Sequence, residues 1–253
     1  MGRYDGILIV SDWDNTISYG SSVPEKTRDA IRAYQKEGGK ITVCSGRGAA
    51  HFDKFRNDFI PNAPICAYNG ALIVDADGHV LRESFLDTEV LHVAEALMQS
   101  GLLVAFTIHA KEFSEPHRCD IEDFTAHFDR YAAMHPYKMV FVGRDEESTL
   151  SAKALAESLL PEGYFAVRSW PVGLEILKTA ASKGEALKLV KAYTSSTIAI
   201  GVGDFENDID LIAAADIGYA VDNALPSVKA AADRVTVSVH DSAIAKIIEE
   251  LSL

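Results

Sequence analysis

The chain has 253 residues, of which 48% are hydrophobic and 24% charged, a balance that belongs to one large folded domain or two modest ones and excludes a disordered tail. Lys and Arg number 24 against 37 Asp and Glu, a net charge of -13, which gives no attraction to nucleic acid or to an anionic membrane surface. Three cysteines (Cys44, Cys66, Cys119) without C-x-x-C spacing make neither a disulfide framework nor a zinc site, and the apolar stretch 7–10 is too short for a signal core or a membrane span. A cytoplasmic protein is the expectation.

In chain order, the short apolar run 6–10 predicts a strand buried on both faces. Residues 24–37 predict a helix that Pro24 starts and Gly38-Gly39 stops. A strand over 40–44, a helix over 49–59, a strand over 64–68 with the Asn69-Gly70 turn, and a hairpin over 72–81 follow. From residue 83 the pattern changes to a mixed α+β segment. It holds helices over 87–99 (behind an Asp87 N-cap), 121–134 and 146–160, and strands over 102–108, 138–142, 164–169 and 173–178. Alternation then resumes with helix 183–193, strand 197–202, helix 208–215, strand 217–220 and helices 226–232 and 242–251. The expectation is an α/β fold: a doubly wound Rossmann-like parallel sheet core over 1–82 and 179–253, with an inserted α+β cap domain over 83–178. The insertion holds 8 basic and 16 acidic residues, so it is no platform for nucleic acid either.

Open α/β sheets bind ligands outside the carboxyl ends of their strands, and the chemistry-bearing residues cluster at such ends. Asp12 and Asp14 follow the first strand, two apart, and in extended chain project to the same side. Such a pair binds a metal, divides into a base and an acid, or is merely an Asx-rich turn. Gly201 to Asp208 (G-V-G-D-F-E-N-D) follows another apolar strand and puts Asp204 and Asp208 four apart, on a shared face if a helix begins near Asp204. Asp12, Asp14, Asp204 and Asp208 together offer the hard oxygens that suit Mg²⁺. Ser182-x-x-Glu185 reads as a capping box with Lys183 in the first turn, placed either to meet a phosphate or as a solvated lysine. Ser45-Gly46-Arg47 supplies a hydroxyl, a flexible backbone and a guanidinium where an anion could sit, or an ordinary serine-capped turn.

In combination these residues resemble the haloacid dehalogenase (HAD) superfamily of phosphohydrolases, in particular the Cof-type branch with an α/β (type IIB) cap. The motifs run in order over almost the whole chain: D-W-D-N-T at 12–16, C-S-G-R at 44–47, Y-N-G at 68–70, S-K-G-E-A-L at 182–187 and G-D-F-E-N-D at 203–208. The resemblance implies that Asp12 is the nucleophile that forms an aspartyl-phosphate, and that Asp14 protonates the leaving alkoxide and then activates water. It implies Mg²⁺ held by the Asp12 carboxylate, the Asp14 backbone carbonyl and Asp204, with Asp208 a ligand or organiser and Asn207 helping to orient it. Ser45 and Lys183 would hold the phosphoryl oxygens, with Gly46 beside them and Arg47 and Asn69 lining the phosphate or cap interface.

The sequence departs from the family pattern in Asn15, where Gly is usual, in Ser45, where Thr is also common, and in Asp222, at a usual Gly. Asn tolerates the left-handed turn that position 15 needs. Trp13 reads as core packing, Cys44 and Cys66 as small apolar residues in buried strands, and the histidines as surface or packing. Arg118, Lys138, Arg144 and Arg168 are substrate contacts or plain surface cations. The function expected is a Mg²⁺-dependent phosphatase acting on a small phosphorylated metabolite, such as a sugar phosphate. The alternatives are a phosphomutase or phosphoryl transferase of the same superfamily, or a catalytically silent phosphate-binding regulator. The oligomeric state is not legible in the sequence.

Overall fold

The computed structural model describes residues 2–20, 22–55, 58–111 and 116–251. The chain divides into two compact units, Met1–Arg82 with Ser182–Leu253, and Glu83–Ala181. It begins with β1 (Ile7–Ser11), α1 (Glu25–Lys36) and β2 (Lys40–Val43), followed by a small three-stranded sheet of β3 (Ile65–Ala67), β4 (Leu72–Val74) and β5 (Val80–Glu83). Then come α2 (Thr88–Gln99), β6 (Leu103–Ala110), β7 (His117–Cys119), α3 (Ile121–Ala126), α4 (Phe128–Ala132), β8 (Pro136–Gly143), α5 (Glu146–Leu159), β9 (Tyr164–Trp170) and β10 (Gly173–Lys178). The first unit is completed by α6 (Lys183–Tyr193), β11 (Ile198–Gly203), α7 (Ile209–Ala214), β12 (Ile217–Ala220), α8 (Pro226–Ala231), β13 (Arg234–Val235) and α9 (Ala243–Glu250).

The first unit is a parallel sheet in the order β13-β12-β11-β1-β2, the doubly wound α/β core that the sequence predicts. Its central strands β1, β11 and β12 are apolar without alternation because both faces are covered. Leu8 and Val10 pack with Leu187 and Val190 of α6, whereas Ile9 belongs to the cluster holding Ile31 and Tyr34 of α1 and Ile244 and Ile247 of α9. That second cluster includes Trp13, fully buried with Phe52 and Phe55 against its ring at centroid distances of 5.3 and 4.8 Å. The helix expected over 49–59 is instead a 3₁₀ turn over Ala49–Phe55, and residues 56 and 57 of that expectation lie outside the described residues. In a 3₁₀ turn residues three apart eclipse, which brings both phenylalanines onto Trp13.

The second unit is an antiparallel sheet in the order β7-β6-β8-β10-β9. Every second residue of its central strands, Phe106, Ile108, Met139, Phe141, Leu174 and Ile176, joins a core with Val90, Leu91 and Leu97 of α2 and Ala152 and Ala156 of α5. Alternation puts Lys138 and Glu175 on the other face, where they form a nearly fully buried ion pair of 2.7 Å. Lys138 is therefore no surface cation, and Arg168, also buried, pairs with Glu146 at 2.8 Å.

Two helix expectations change. Asp87 does not cap α2 with its side chain; its carboxylate is taken by Lys178 at 2.7 Å and by the Tyr164 hydroxyl. The helix expected over 121–134 is two short ones that meet at His127, whose N–H still donates to the Asp123 carbonyl at 3.0 Å but whose φ of −126° and ψ of 35° leave the helical conformation.

Candidate active site

The central strands β11, β1 and β2 end side by side, and each hands on a polar residue. Beyond β1, the Asp12 N–H donates to the Val202 carbonyl of β11 at 2.9 Å, and Asp204 directly follows β11. Beyond β2, the Cys44 N–H donates to Ser11 O and the Ser45 N–H to Cys66 O, both at 2.9 Å. Sheet pairing thus runs one or two residues past the named strands and fixes the backbone from which the side chains project.

Asp12, Asp204 and Asp208 are all buried, with carboxylate oxygens within 4.8 Å of one another. Lys183, at the start of α6, closes the group: its Nζ lies 2.6 Å from Asp12 Oδ1 and 2.5 Å from Asp208 Oδ1. Ser182 caps the helix by accepting the Glu185 N–H, as the capping box predicts, but Lys183 is 1% exposed, which removes the solvated-lysine alternative. Asp204 and Asp208 do not share a helix face. Glu206–Asp208 is a 3₁₀ turn and α7 begins only at Ile209. Asp208 folds back instead, and its Oδ2 accepts the N–H groups of Asp204 at 2.9 Å and Phe205 at 3.1 Å. Gly203 is what permits this, because a Cβ there would stand 2.2 Å from the Asp208 Cβ.

Three buried carboxylates around one ammonium make an electrically unbalanced site. Burial pushes the Asp12 carboxyl well above the usual carboxylate range and the Asp208 and Asp204 charges add to this, while Lys183 opposes it. Asp204 is pushed up to about 7, by burial first and by Asp208 second. Burial works against the Lys183 charge, but Asp12 and Asp208 outweigh it and hold the ammonium protonated. A divalent cation would correct the excess, and hard oxygens are the donors it prefers. Among the described residues, Asp12 Oδ2 and Asp204 Oδ2 accept no hydrogen bond, whereas both Asp208 oxygens are engaged.

Asp14 lies outside this carboxylate group. Its half-exposed side chain accepts two bonds from Arg47, at 2.9 Å from Nε and 3.1 Å from Nη2. Its loop turns at Asn15, whose φ of 60° is the left-handed conformation expected there, and Asn223 Nδ2 donates to the Asn15 carbonyl at 2.9 Å. Ser45, Gly46 and Arg47 form the turn beyond β2, in which the Arg47 N–H donates to Ser45 Oγ at 3.2 Å. Buried Asn69 donates its N–H to Ser45 O at 2.8 Å and accepts from Asn207 Nδ2 at 3.3 Å. The strand-end residues thus fall into two bonded groups, Asp12, Asp204 and Asp208 around Lys183, and Asp14, Arg47, Ser45, Asn69 and Asn207. Sequence reading assigned no role to Thr16, whose hydroxyl meets Asp204 Oδ1 at 3.2 Å, or to Asp210, which accepts the Gly184 N–H at 2.9 Å beside Lys183. Thr16 stands within the D-W-D-N-T motif; Asp210 had no signal.

A second acidic group, Asp75, Asp77 and His79, occupies the β4–β5 hairpin. There Asp75 Oδ1 accepts the hairpin's own N–H groups from Asp77 and His79, an Asx turn in effect.

Comparison with known proteins agrees with this geometry. A family model described as haloacid dehalogenase-like hydrolase matches residues 9–248. The Bacillus subtilis protein named "Putative phosphatase YxeH" is 30% identical over 97% of this chain and 98% of its own length. Phosphoglycolate phosphatase 2 of Saccharolobus solfataricus is 24% identical over 97% and 92%. Among solved structures, the phosphatase BT1666 of Bacteroides thetaiotaomicron superimposes with a TM-score of 0.79 at 24% identity, over 99% of this chain and 96% of that one. The HAD subclass IIB sugar phosphatase BT4131 superimposes with a TM-score of 0.80 at 18% identity, over 97% and 98%. The chain belongs to the haloacid dehalogenase-like hydrolase family and is an enzyme of its phosphatase kind.

Proposed function

We propose that this phosphatase hydrolyses a small phosphorylated metabolite, a sugar phosphate or related phosphomonoester, by way of an aspartyl-phosphate on Asp12 and with Mg²⁺ as cofactor. The observation that carries the reading is the buried convergence of Asp12, Asp204 and Asp208 on Lys183. Asp12 and Asp204, with the Asp14 main-chain carbonyl and with Asp208 beside them, would hold the ion, whose charge offsets the carboxylates and draws electron density from the phosphoryl group.

The remaining chemistry belongs to the protein. Lys183 orients the Asp12 carboxylate through Oδ1, and that carboxylate attacks phosphorus. An ammonium has three donors; Asp12 and Asp208 take two, and the third can meet a phosphoryl oxygen. Ser45 Oγ accepts from the Arg47 N–H, so its own proton is available to the same anion. These donors stand where negative charge builds up and need no rearrangement as it does. Asp14 is half-exposed and so able to exchange protons: it gives one to the leaving alkoxide, then takes one from the water that attacks the aspartyl-phosphate. Gly46 lets the backbone of the Ser45 turn approach the anion, while Arg47 aims Asp14 and Asn69 and Asn207 brace the Ser45 loop. The sugar phosphatase activity of BT4131 supports the substrate class. Three free, buried cysteines support a place in the reducing cytoplasm.

The test is phosphate release from a panel of sugar phosphates, phosphorylated acids and nucleotides, with Mg²⁺ or with chelator. The expected result is metal-dependent release that Asp12→Asn abolishes. Undiminished release by Asp12→Asn would remove the nucleophile assignment. No release of any phosphate by folded, Mg²⁺-loaded protein would favour a mutase or a binding role.

A further inference from the structure

We infer that Thr16 is a positioning residue for the metal site: its hydroxyl holds Asp204 in the one orientation that leaves a carboxylate oxygen for the ion. The role rests on the metal reading above and goes beyond it. Thr16 is 1% exposed and donates to Asp204 Oδ1 at 3.2 Å, a bond between residues far apart in the chain. The partner oxygen, Asp204 Oδ2, accepts no hydrogen bond among the described residues, and the Asp204 carboxylate belongs to the group that converges on Asp12.

The hydroxyl sits on a turn built to hold it still. The Trp13 carbonyl accepts the N–H groups of Thr16, Ile17 and Ser18, and the Asn15 N–H closes onto Ser18 O at 2.8 Å. Trp13 itself is locked among Phe52, Phe55 and Phe59. On the other side, the Asp204 backbone is pinned by Asp208 Oδ2 at its N–H and by the Leu225 N–H at its carbonyl, at 2.9 and 3.0 Å. With both backbones fixed, the remaining freedom of Asp204 is rotation of its carboxylate, and the Thr16 hydroxyl removes it. A group that hydrogen-bonds a metal ligand controls the ligand's direction and hence the affinity for the ion. The same bond joins the loop after β1 to the loop after β11, so the two carboxylates that face the ion keep their spacing.

The experiment compares Mg²⁺ binding by isothermal titration calorimetry in wild type, Thr16→Val and Thr16→Ser. Thr16→Val keeps the shape and deletes the hydroxyl; Thr16→Ser keeps the hydroxyl and deletes the methyl. The expected result is Mg²⁺ affinity about 10- to 100-fold weaker in Thr16→Val, recovery toward wild type in Thr16→Ser, and kcat at saturating Mg²⁺ far less affected than the Mg²⁺ concentration at half activity. Should the valine disturb folding, as circular dichroism would show, Thr16→Ala supplies the same comparison without the branched methyl. Wild-type affinity in the folded variants that lack the hydroxyl would overturn the role of Thr16 and leave the metal reading standing. A wild-type protein that takes up no Mg²⁺ would overturn the metal reading, and the role of Thr16 with it.

Discussion

Asp208 serves two neighbours with one carboxylate: one oxygen holds Lys183, the other holds the backbone of Asp204 and Phe205. That division of labour was not legible in the spacing of the two acids, which suggested a common helix face. Spacing reports helical periodicity only where a helix exists, and here the chain makes a 3₁₀ turn whose geometry the carboxylate itself dictates. The residue types at the strand ends were legible because their positions follow from buried apolar runs. The bond from Thr16 to Asp204 and the burial of Lys183 were not, because both depend on segments brought together by the sheet. Asp14 and Asp12 stand two apart yet in different surroundings, one half-exposed against Arg47, the other buried against Lys183. If Asp14 is the proton donor and acceptor, Asp14→Asn lowers kcat by about 10²- to 10⁴-fold. The increase in melting temperature expected on adding Mg²⁺ should survive, since the main-chain carbonyl remains. A variant that loses both together would show that the Asp14 carboxylate itself serves the ion.

Elements came through the sequence in proportion to their apolar content. Strands such as β1 and β8 are unmistakable runs, whereas β13 is only two residues and β7 only three, each with a single apolar side chain, Val235 and Cys119, too little to announce a strand. The helix expected over 121–134 failed for a different reason: its apolar spacing is sound, but the backbone leaves the helical conformation at His127. In the second unit, β8 and β10 carry between them the buried Lys138–Glu175 pair. A buried ion pair is costly to break and often nearly neutral to replace. Lys138→Met alone is therefore expected to destabilise the protein by about 3–5 kcal/mol, read from urea unfolding. The double variant Lys138→Met, Glu175→Leu should recover most of that loss. A single variant that unfolds like wild type would mean that the pair adds nothing to the stability of these strands.

At the scale of the whole molecule, the site couples stability to pH and, on the proposed metal reading, to the ion. The Asp204 carboxyl titrates near 3.8 in a solvated chain and at about 7 in the fold, so between those values the folded state binds more protons than the unfolded one. Its contribution to stability therefore falls as pH rises across that window. A cation needs the ionised carboxylate, so the balance reverses when Mg²⁺ is present. The increase in melting temperature caused by Mg²⁺ should be small at about pH 5.5 and clearly larger at about pH 8, which differential scanning fluorimetry can check; an increase independent of pH would contradict the shifted carboxyl. A last consequence concerns synthesis on the ribosome. The strand that leads into Asp12 emerges before Glu83–Ala181, but its partner β11 begins only at Ile198, after the whole of that unit. The intervening unit is one uninterrupted stretch of chain and can collapse on its own strands while β1 still waits. No nascent chain that stops short of β11 holds the carboxylate group, so the polypeptide cannot become a hydrolase until the chain has been made through Asp208.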